Sequence, residues 1–379
     1  MLTQSRAAPM IGEPPACALP HQKAYRHGHG PGAGGGAAVG ILRPTVGADI
    51  RPRYNPLAGR SLMEIVPLRQ TTPRQLDPLF EEEADRWLLD FRWDYRPSLA
   101  LIRRFVETRS LDGCAAFEND RIAGYGFYVF EEEKALLGGL FVARSVGDPG
   151  LPERPLAALL LHLRTRAEIG RIEAQLIPFG HSLDSALEHH RFRLHKRQFM
   201  YLDLGKPRSA SSPAAGLRLE RWTDRCFEPC ARLIERAYFR HVDSDINEQY
   251  RSEGGASRFL RNVVLLPGCG QFLPEASLVI PGNGRNELQG VVLTSVVAPR
   301  VAHVTQICLL PSLQGKGLGR GLLEASIAAL QQRQFEGLSL TVTSSNAPAV
   351  QLYATSGFRV LRTFSAAVWD AKRQPRGGV

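Results

Sequence analysis

Pro311-Ser-Leu-Gln-Gly-Lys-Gly-Leu-Gly-Arg-Gly321 stands between the apolar run 307–310 and the amphipathic run 322–330. A strand that stops at a proline, a glycine-rich turn and then a helix form a phosphate-binding geometry. Small residues let the backbone come close to an anion, and the first N–H groups of the helix point at it along the positive end of the helix dipole. Gly317 and Gly319 are the positions where a Cβ would block that approach, and Lys316 and Arg320 add positive charge beside it. A Walker loop needs a hydroxyl residue after its lysine, whereas Lys316 is followed by Gly317. A dinucleotide fingerprint needs Gly-x-Gly-x-x-Gly, whereas Gly315, Gly317 and Gly319 alternate. Both nucleotide patterns are weakened.

Downstream come a helical run (322–333), a strand-like run (338–343) and Ser345-Asn346-Ala-Pro-Ala-Val-Gln-Leu-Tyr353-Ala-Thr-Ser-Gly357-Phe358. The spacing Gln314-Gly-Lys-Gly317-Leu-Gly319 resembles Gln/Arg-x-x-Gly-x-Gly/Ala, the coenzyme A pyrophosphate loop of the GNAT superfamily of acyl-CoA N-acyltransferases. The later segment resembles that family's second motif, an Asn that opens a short helix, a Tyr seven residues on and a closing Gly-Phe. The resemblance spans roughly 60 residues, with the right element types in order.

The resemblance implies a site. Gln314, Gly315, Lys316, Gly317, Leu318, Gly319 and Arg320 would hold the pyrophosphate of acetyl-CoA, the cosubstrate. The backbone of Ile307, Cys308 and Leu309, with a bulge there, would bond the pantetheine arm, although the letters alone fit a plain core strand equally. Asn346 would bond the arm, cap its own helix, or do both. Tyr353 would give a proton to the departing sulfur. Many relatives carry a Glu base five residues before the motif Asn, where this chain has Thr341, which cannot serve. Others place an acid near the start of the strand before the loop, where His303 stands, and His303 is the expected base. Cys308, a thiol inside an apolar strand, is expected to be inert.

Read in order, residues 1–62 are rich in Gly, Pro, Ala and His and lack helical or strand periodicity, so they are expected to be a disordered tail. From Met63 to Leu204 the pattern gives a strand, two helices, three strands, a helix, a strand, a short helix and a closing strand pair over 192–204. Residues 205–216 read as a linker, after which 217–370 repeat the same order, followed by a flexible end at 371–379. In the second copy a helical region over 245–266 is expected to break at Gly254-Gly255. The fold class expected is α/β, two tandem GNAT folds, each a mixed, mostly antiparallel sheet flanked by helices. In the first copy, Ser145 to Arg154 stands where the anion loop should be and carries Asp148, Glu153 and two prolines. That copy is expected to be degenerate, since acids repel an anion and prolines lack the N–H donor.

Composition narrows the function. The net charge is +10, but seven Lys/Arg against two Asp/Glu lie within the first 62 residues, leaving the remainder mildly basic. No RNP aromatic pattern, zinc-finger spacing or basic heptad region points to specific nucleic-acid binding. The six cysteines form no CxxC pair, and Cys226 and Cys230 lack a completing pair of ligands, so no metal site is expected. No apolar run reaches the ~18 residues of a membrane span, and a cytoplasmic protein is expected. The expected activity is transfer of an acetyl group to a primary amine, a small molecule, by direct attack in the second copy. A homodimer is compatible with this reading. The rival readings are a non-catalytic coenzyme A sensor or scaffold and an RNA- or ribosome-associated acetyltransferase.

Overall fold

The computed structural model describes residues 63–144, 150–206, 217–284 and 286–373. The tail 1–62, residues 145–149 of the first copy's loop, most of the linker and the last six residues lie outside the described residues.

The first half contains β1 (Met63–Pro67), α1 (Pro73–Phe91), α2 (Arg96–Glu107), β2 (Asp112–Glu118), β3 (Arg121–Glu131) and β4 (Lys134–Val142). It continues with α3 (Glu153–Arg164), β5 (Arg171–Gln175), α4 (Asp184–His189) and β6 (Arg193–Asp203). The second half contains β7 (Glu220–Arg221), α5 (Phe227–Tyr238), α6 (Val242–Ile246), α7 (Glu253–Leu265), β8 (Gln271–Phe272) and β9 (Leu278–Pro281). After these come β10 (Leu288–Ala298), β11 (Val301–Leu309), α8 (Leu318–Gln332), β12 (Gly337–Thr343), α9 (Ala347–Thr355) and β13 (Arg359–Asp370).

Local chemistry sets these boundaries. Gln75 accepts the Thr72 N–H at 2.9 Å and Pro73 opens α1, which places that helix start. Asn119 and Asp120, with φ of 49° and 63°, make the tight turn between β2 and β3. Two expectations are corrected. The strand pair over 192–204 is the single strand β6, hydrogen-bonded along its length to a neighbour on each side. The helical break falls at 247–252 and not at Gly254-Gly255, because the Ser252 Oγ accepts the Gly255 N–H at 3.1 Å and caps α7 there. Gly255 is needed for close packing, since a Cβ on it would meet the Gln249 carbonyl oxygen at 2.4 Å.

The strands form one mixed sheet in the order β1-β2-β3-β4-β5-β13-β6-β12-β11-β10-β9-β7, with β8 beside β10. Only β4·β5 and β11·β12 are parallel. The final strand of each half is exchanged: β13 pairs with β5, β6 pairs with β12, and β6 and β13 lie antiparallel at the centre. Helices cover both faces. On one face, α1 and α2 pack with Phe199 and Phe364 of the exchanged strands and with Val297, Ala298 and Val301 of the second half. On the other, α8 and α9 pack on Leu338, Leu340 and Val342 together with Met200 and Leu202 of β6. Each such side chain contributes roughly 1.5–3 kcal/mol when buried, so the two halves share core energy as well as sheet hydrogen bonds.

Candidate active site

β11 and β12 pair only from Val301–Val304 to Gly337–Leu340, and beyond that point they part. The register of β11 against β10 slips at Thr305, which leaves an extra residue there. This bulge lies two residues before the Ile307-Cys308-Leu309 stretch where the sequence reading set it. It flips the side-chain alternation, so that Ile307 and Leu309 join the core under α8 while Cys308 faces α5 and α7. The Ile307 N–H is taken by the Gln306 Oε1 at 2.9 Å, and the Tyr238 hydroxyl donates to the same oxygen at 2.7 Å. Burial pushes the Cys308 thiol far above its usual range, which makes it a poor nucleophile.

The parted strand runs into the glycine loop. Gly315 and Gly317 have φ of 75° and 79°, a left-handed backbone that glycine adopts without strain, and a Cβ on either would meet nothing within 4 Å. Gly317 is the N-cap of α8, where no side chain caps the helix, so its first N–H groups face outward. Both amide atoms of Gln314 are buried and have no hydrogen-bond partner among the described residues. Lys316 is exposed, and Arg320 donates to the Thr355 Oγ1 at 2.6 Å, tying α8 to α9. Leu318 and Gly319 form the first turn behind the loop. An open glycine cradle at an uncapped helix start, beside an unpartnered amide, fits a pyrophosphate.

α9 carries the second motif. The Asn346 side-chain oxygen accepts the Ala349 N–H at 3.3 Å and caps the helix. Tyr353 is fully buried, packs edge-on against Phe358 at 5.7 Å, and its hydroxyl has no hydrogen-bond partner among the described residues. Burial first, and the Asp243 carboxylate second, hold this phenol well above its ordinary pKa, so it keeps its proton at neutral pH.

His303 is placed apart from these groups. It lies on the paired end of β11, fully buried, with its ring 5.0 Å from Trp93 and stacked 5.8 Å from Phe199, both in the first half. Its Nδ1 bonds the Ser339 hydroxyl at 2.8 Å. Burial and the nearby Arg197 guanidinium lower its pKa to about 3, so the ring is neutral and weakly basic.

The sequence reading gave Asp243 no part in the reaction. It sits in α6, is 1% exposed, and accepts a hydrogen bond at Oδ1 from the Thr343 hydroxyl at the parted end of β12. Its Oδ2 has no hydrogen-bond partner among the described residues and lies 3.3 Å from the His241 Nδ1. That nitrogen already accepts the Asp243 N–H, and burial lowers the pKa of His241, so the ring is neutral and the contact is not an ion pair. The one sequence signal was an acid within a polar stretch between two helices. The first half fixes this stretch. Arg171 donates to the Asp245 carbonyl, Glu173 accepts the Glu248 N–H at 2.9 Å, and Gln249 donates to Glu131 at 2.9 Å.

Among the described residues no helix is long and apolar enough to cross a membrane, and no group of His, Cys, Asp and Glu is placed to hold a metal.

Residues 242–358 match the model of the Acetyltransferase (GNAT) family. The chain is similar to a mycothiol acetyltransferase of Renibacterium salmoninarum, 30% identical over 106 residues that make up 27% of this chain and 29% of that protein. It is also similar to a mycothiol acetyltransferase of Propionibacterium freudenreichii, 25% identical over 42% of this chain and 47% of that protein. The chain thus spans less than half the length of either relative. Among solved structures, a GCN5-related N-acetyltransferase from Sphaerobacter thermophilus superposes with a TM-score of 0.57 at 13% identity, covering 82% of this chain and 96% of that one. A tandem GNAT protein from the clavulanic acid biosynthesis pathway gives 0.55 at 14% identity, covering 83% and 100%. The mixed sheet flanked by helices is therefore the fold of these acetyltransferase structures.

Proposed function

We propose that this chain is an N-acetyltransferase of the GNAT type whose second half carries the reaction, moving an acetyl group from acetyl-CoA to a primary amine. The observation that carries the reading is the continuity of three features: parted parallel strands, an open glycine cradle at their exit, and a buried tyrosine with a free hydroxyl on the next helix. Gln314 to Arg320 would hold the pyrophosphate and the free edge of β11 the pantetheine arm. The bound thioester supplies the activated acetyl carbon.

The chain's own residues manage protons. The amine must shed one proton to become a nucleophile and a second as the amide forms, while the departing sulfur gains one. Tyr353, held protonated, donates a hydrogen bond to that sulfur. The burial that keeps its proton also makes it a stabiliser of developing charge before it is a full donor. The Asp243 Oδ2, buried near Tyr353, is the carboxylate placed to take a proton from the amine. His303, expected from the sequence as the base, instead serves the packed seam between halves. The first half, 63–204, is a copy that has lost the cradle and gained the task of holding the acceptor-facing segment 242–251. In support, α3 has Pro152 as its N-cap and Glu153 in its first turn, an anion-repelling start.

Calorimetric titration of acetyl-CoA into the full chain and into Gly317→Glu tests this. One site per chain, lost in the variant, is expected. Two sites would mean that the first half also binds, and none would leave the cradle as a structural turn. Release of thiol with an amine present separates an enzyme from a coenzyme A sensor that only binds.

A further inference from the structure

Arg197 of β6 is the most deeply buried cation of the described residues, 1% exposed, and no carboxylate lies within ion-pair distance of it. Its Nη1 donates to the neutral Gln175 Oε1, and its guanidinium lies 6.0 Å from the Phe364 ring. Its Nε and Nη2 are buried with no hydrogen-bond partner among the described residues. An isolated charge in such a place costs several kcal/mol unless an opposite charge joins it. Arginine is also the side chain whose planar fork matches a carboxylate.

The neighbours of Arg197 say what would join it. In the sheet register Arg197 stands opposite Thr343 of β12 on one side and Phe364 of β13 on the other. Directly opposed side chains share a face, so the Thr343 hydroxyl and the Arg197 guanidinium project to the same side. Thr343 is the residue that donates to Asp243. Asp243 and Arg197 both act on His195, two residues from Arg197 on that face of β6. A buried carboxylate with a free oxygen and a buried guanidinium with two free nitrogens thus flank one threonine. Thr343 and Arg197 stand on neighbouring strands ~4.8 Å apart, Asp243 reaches the threonine from α6, and the carboxylate and the guanidinium are not paired with each other.

We infer that the acceptor is an amino acid, its amine directed to the Asp243 Oδ2 and its carboxylate to the Arg197 Nε and Nη2. This rests on the acetyl-transfer reading for the amine's fate but not for the recognition of the carboxylate. The strand exchange is what makes it possible, because Arg197 comes from the first half and Asp243 from the second. Arg197 is then a specificity residue, and the acetyl group forms its new bond at the α-nitrogen while the thioester bond breaks and the sulfur leaves as thiol.

The experiment compares the proteinogenic L-amino acids with their decarboxylated amines as acceptors, following thiol release by the full chain and by Arg197→Met and Arg197→Lys. The wild type is expected to favour an amino acid over its amine by about 100-fold in kcat/KM, the scale of truncating a buried charge pair. Arg197→Met should lose that preference, chiefly through KM for the amino acid, and Arg197→Lys should recover part of it. Read in parallel, acetyl-CoA binding should stay at the wild-type value, and the melting temperature of Arg197→Met should not fall, because an unpaired buried charge is removed. Equal use of amines and amino acids by the wild type, or an equal loss on both in Arg197→Met, would overturn the inference. If acetyl-CoA does not bind at all, the reaction reading fails, yet L-amino acids alone should still raise the melting temperature of the wild type and not of Arg197→Met. Absence of both reaction and stabilisation by any amino acid would end the inference.

Discussion

Replacing Tyr353 with Phe separates function from stability in one atom. The ring is fully buried and keeps its contact with Phe358, so no cavity opens and the apolar core is unchanged. What disappears is a buried hydroxyl without a hydrogen-bond partner among the described residues, a group whose desolvation costs about 1–3 kcal/mol. Tyr353→Phe should therefore be at least as stable as the wild type. Each kcal/mol relieved should raise Tm by about 2–4 °C in a chain of this size. Turnover should move the other way. Losing a preorganised donor at the departing sulfur costs about 3–4 kcal/mol of barrier, or 10²–10³ in kcat, with little change in acetyl-CoA affinity. Differential scanning calorimetry beside a thiol-release assay reads both. A fall in Tm of more than about 4 °C would show that the hydroxyl holds structure together, and a kcat within threefold of wild type would remove Tyr353 from the reaction.

Three further expectations follow from other parts of the fold. Glu83 is buried, accepts the Tyr125 hydroxyl at 2.6 Å, and is raised by burial from 4.5 to about 8. The unfolded chain ionises this group first, so stability should be full below pH 4.5 and fall as pH rises towards 8, by at most about 1.4 kcal/mol per unit. In denaturant melts across that range Glu83→Gln should flatten the slope, and an unchanged slope would show that Glu83 does not hold its proton. His303→Gln can still bond Ser339, and the pH dependence of kcat is expected to match the wild type. Loss of its acid limb would return His303 to the role of base. Finally, residues 63–206 and 217–373 expressed apart should each aggregate, because β5 would lack β13 and β12 would lack β6, exposing open strand edges. Mixed during refolding they should yield a soluble complex, and a monomeric, cooperative melt of either piece alone would contradict the interlocked sheet.

Much of the architecture is legible in the letters because it is local. Gln314 to Gly319 encode a turn that only glycine can follow, and Asn346, Pro348 and Gly357 mark the two ends of a short helix, so the cradle and the Tyr353 helix can be read from a few adjacent residues. The alternation of strands and helices likewise follows from hydrophobic periodicity within each segment. Pairing across the chain is different. Nothing near residue 197 says that β6 leaves its own half to lie beside β12, and nothing near 303 says that Trp93 and Phe199 will enclose the histidine. Hence a histidine placed at the site by family resemblance is found in a sealed seam. An aspartate and an arginine that the letters do not set apart from the other charges are buried on either side of Thr343. Backbone shape is fixed by neighbours a few residues away, whereas burial and the charge a group meets are fixed by strand partners more than a hundred residues distant, which only the folded sheet brings together.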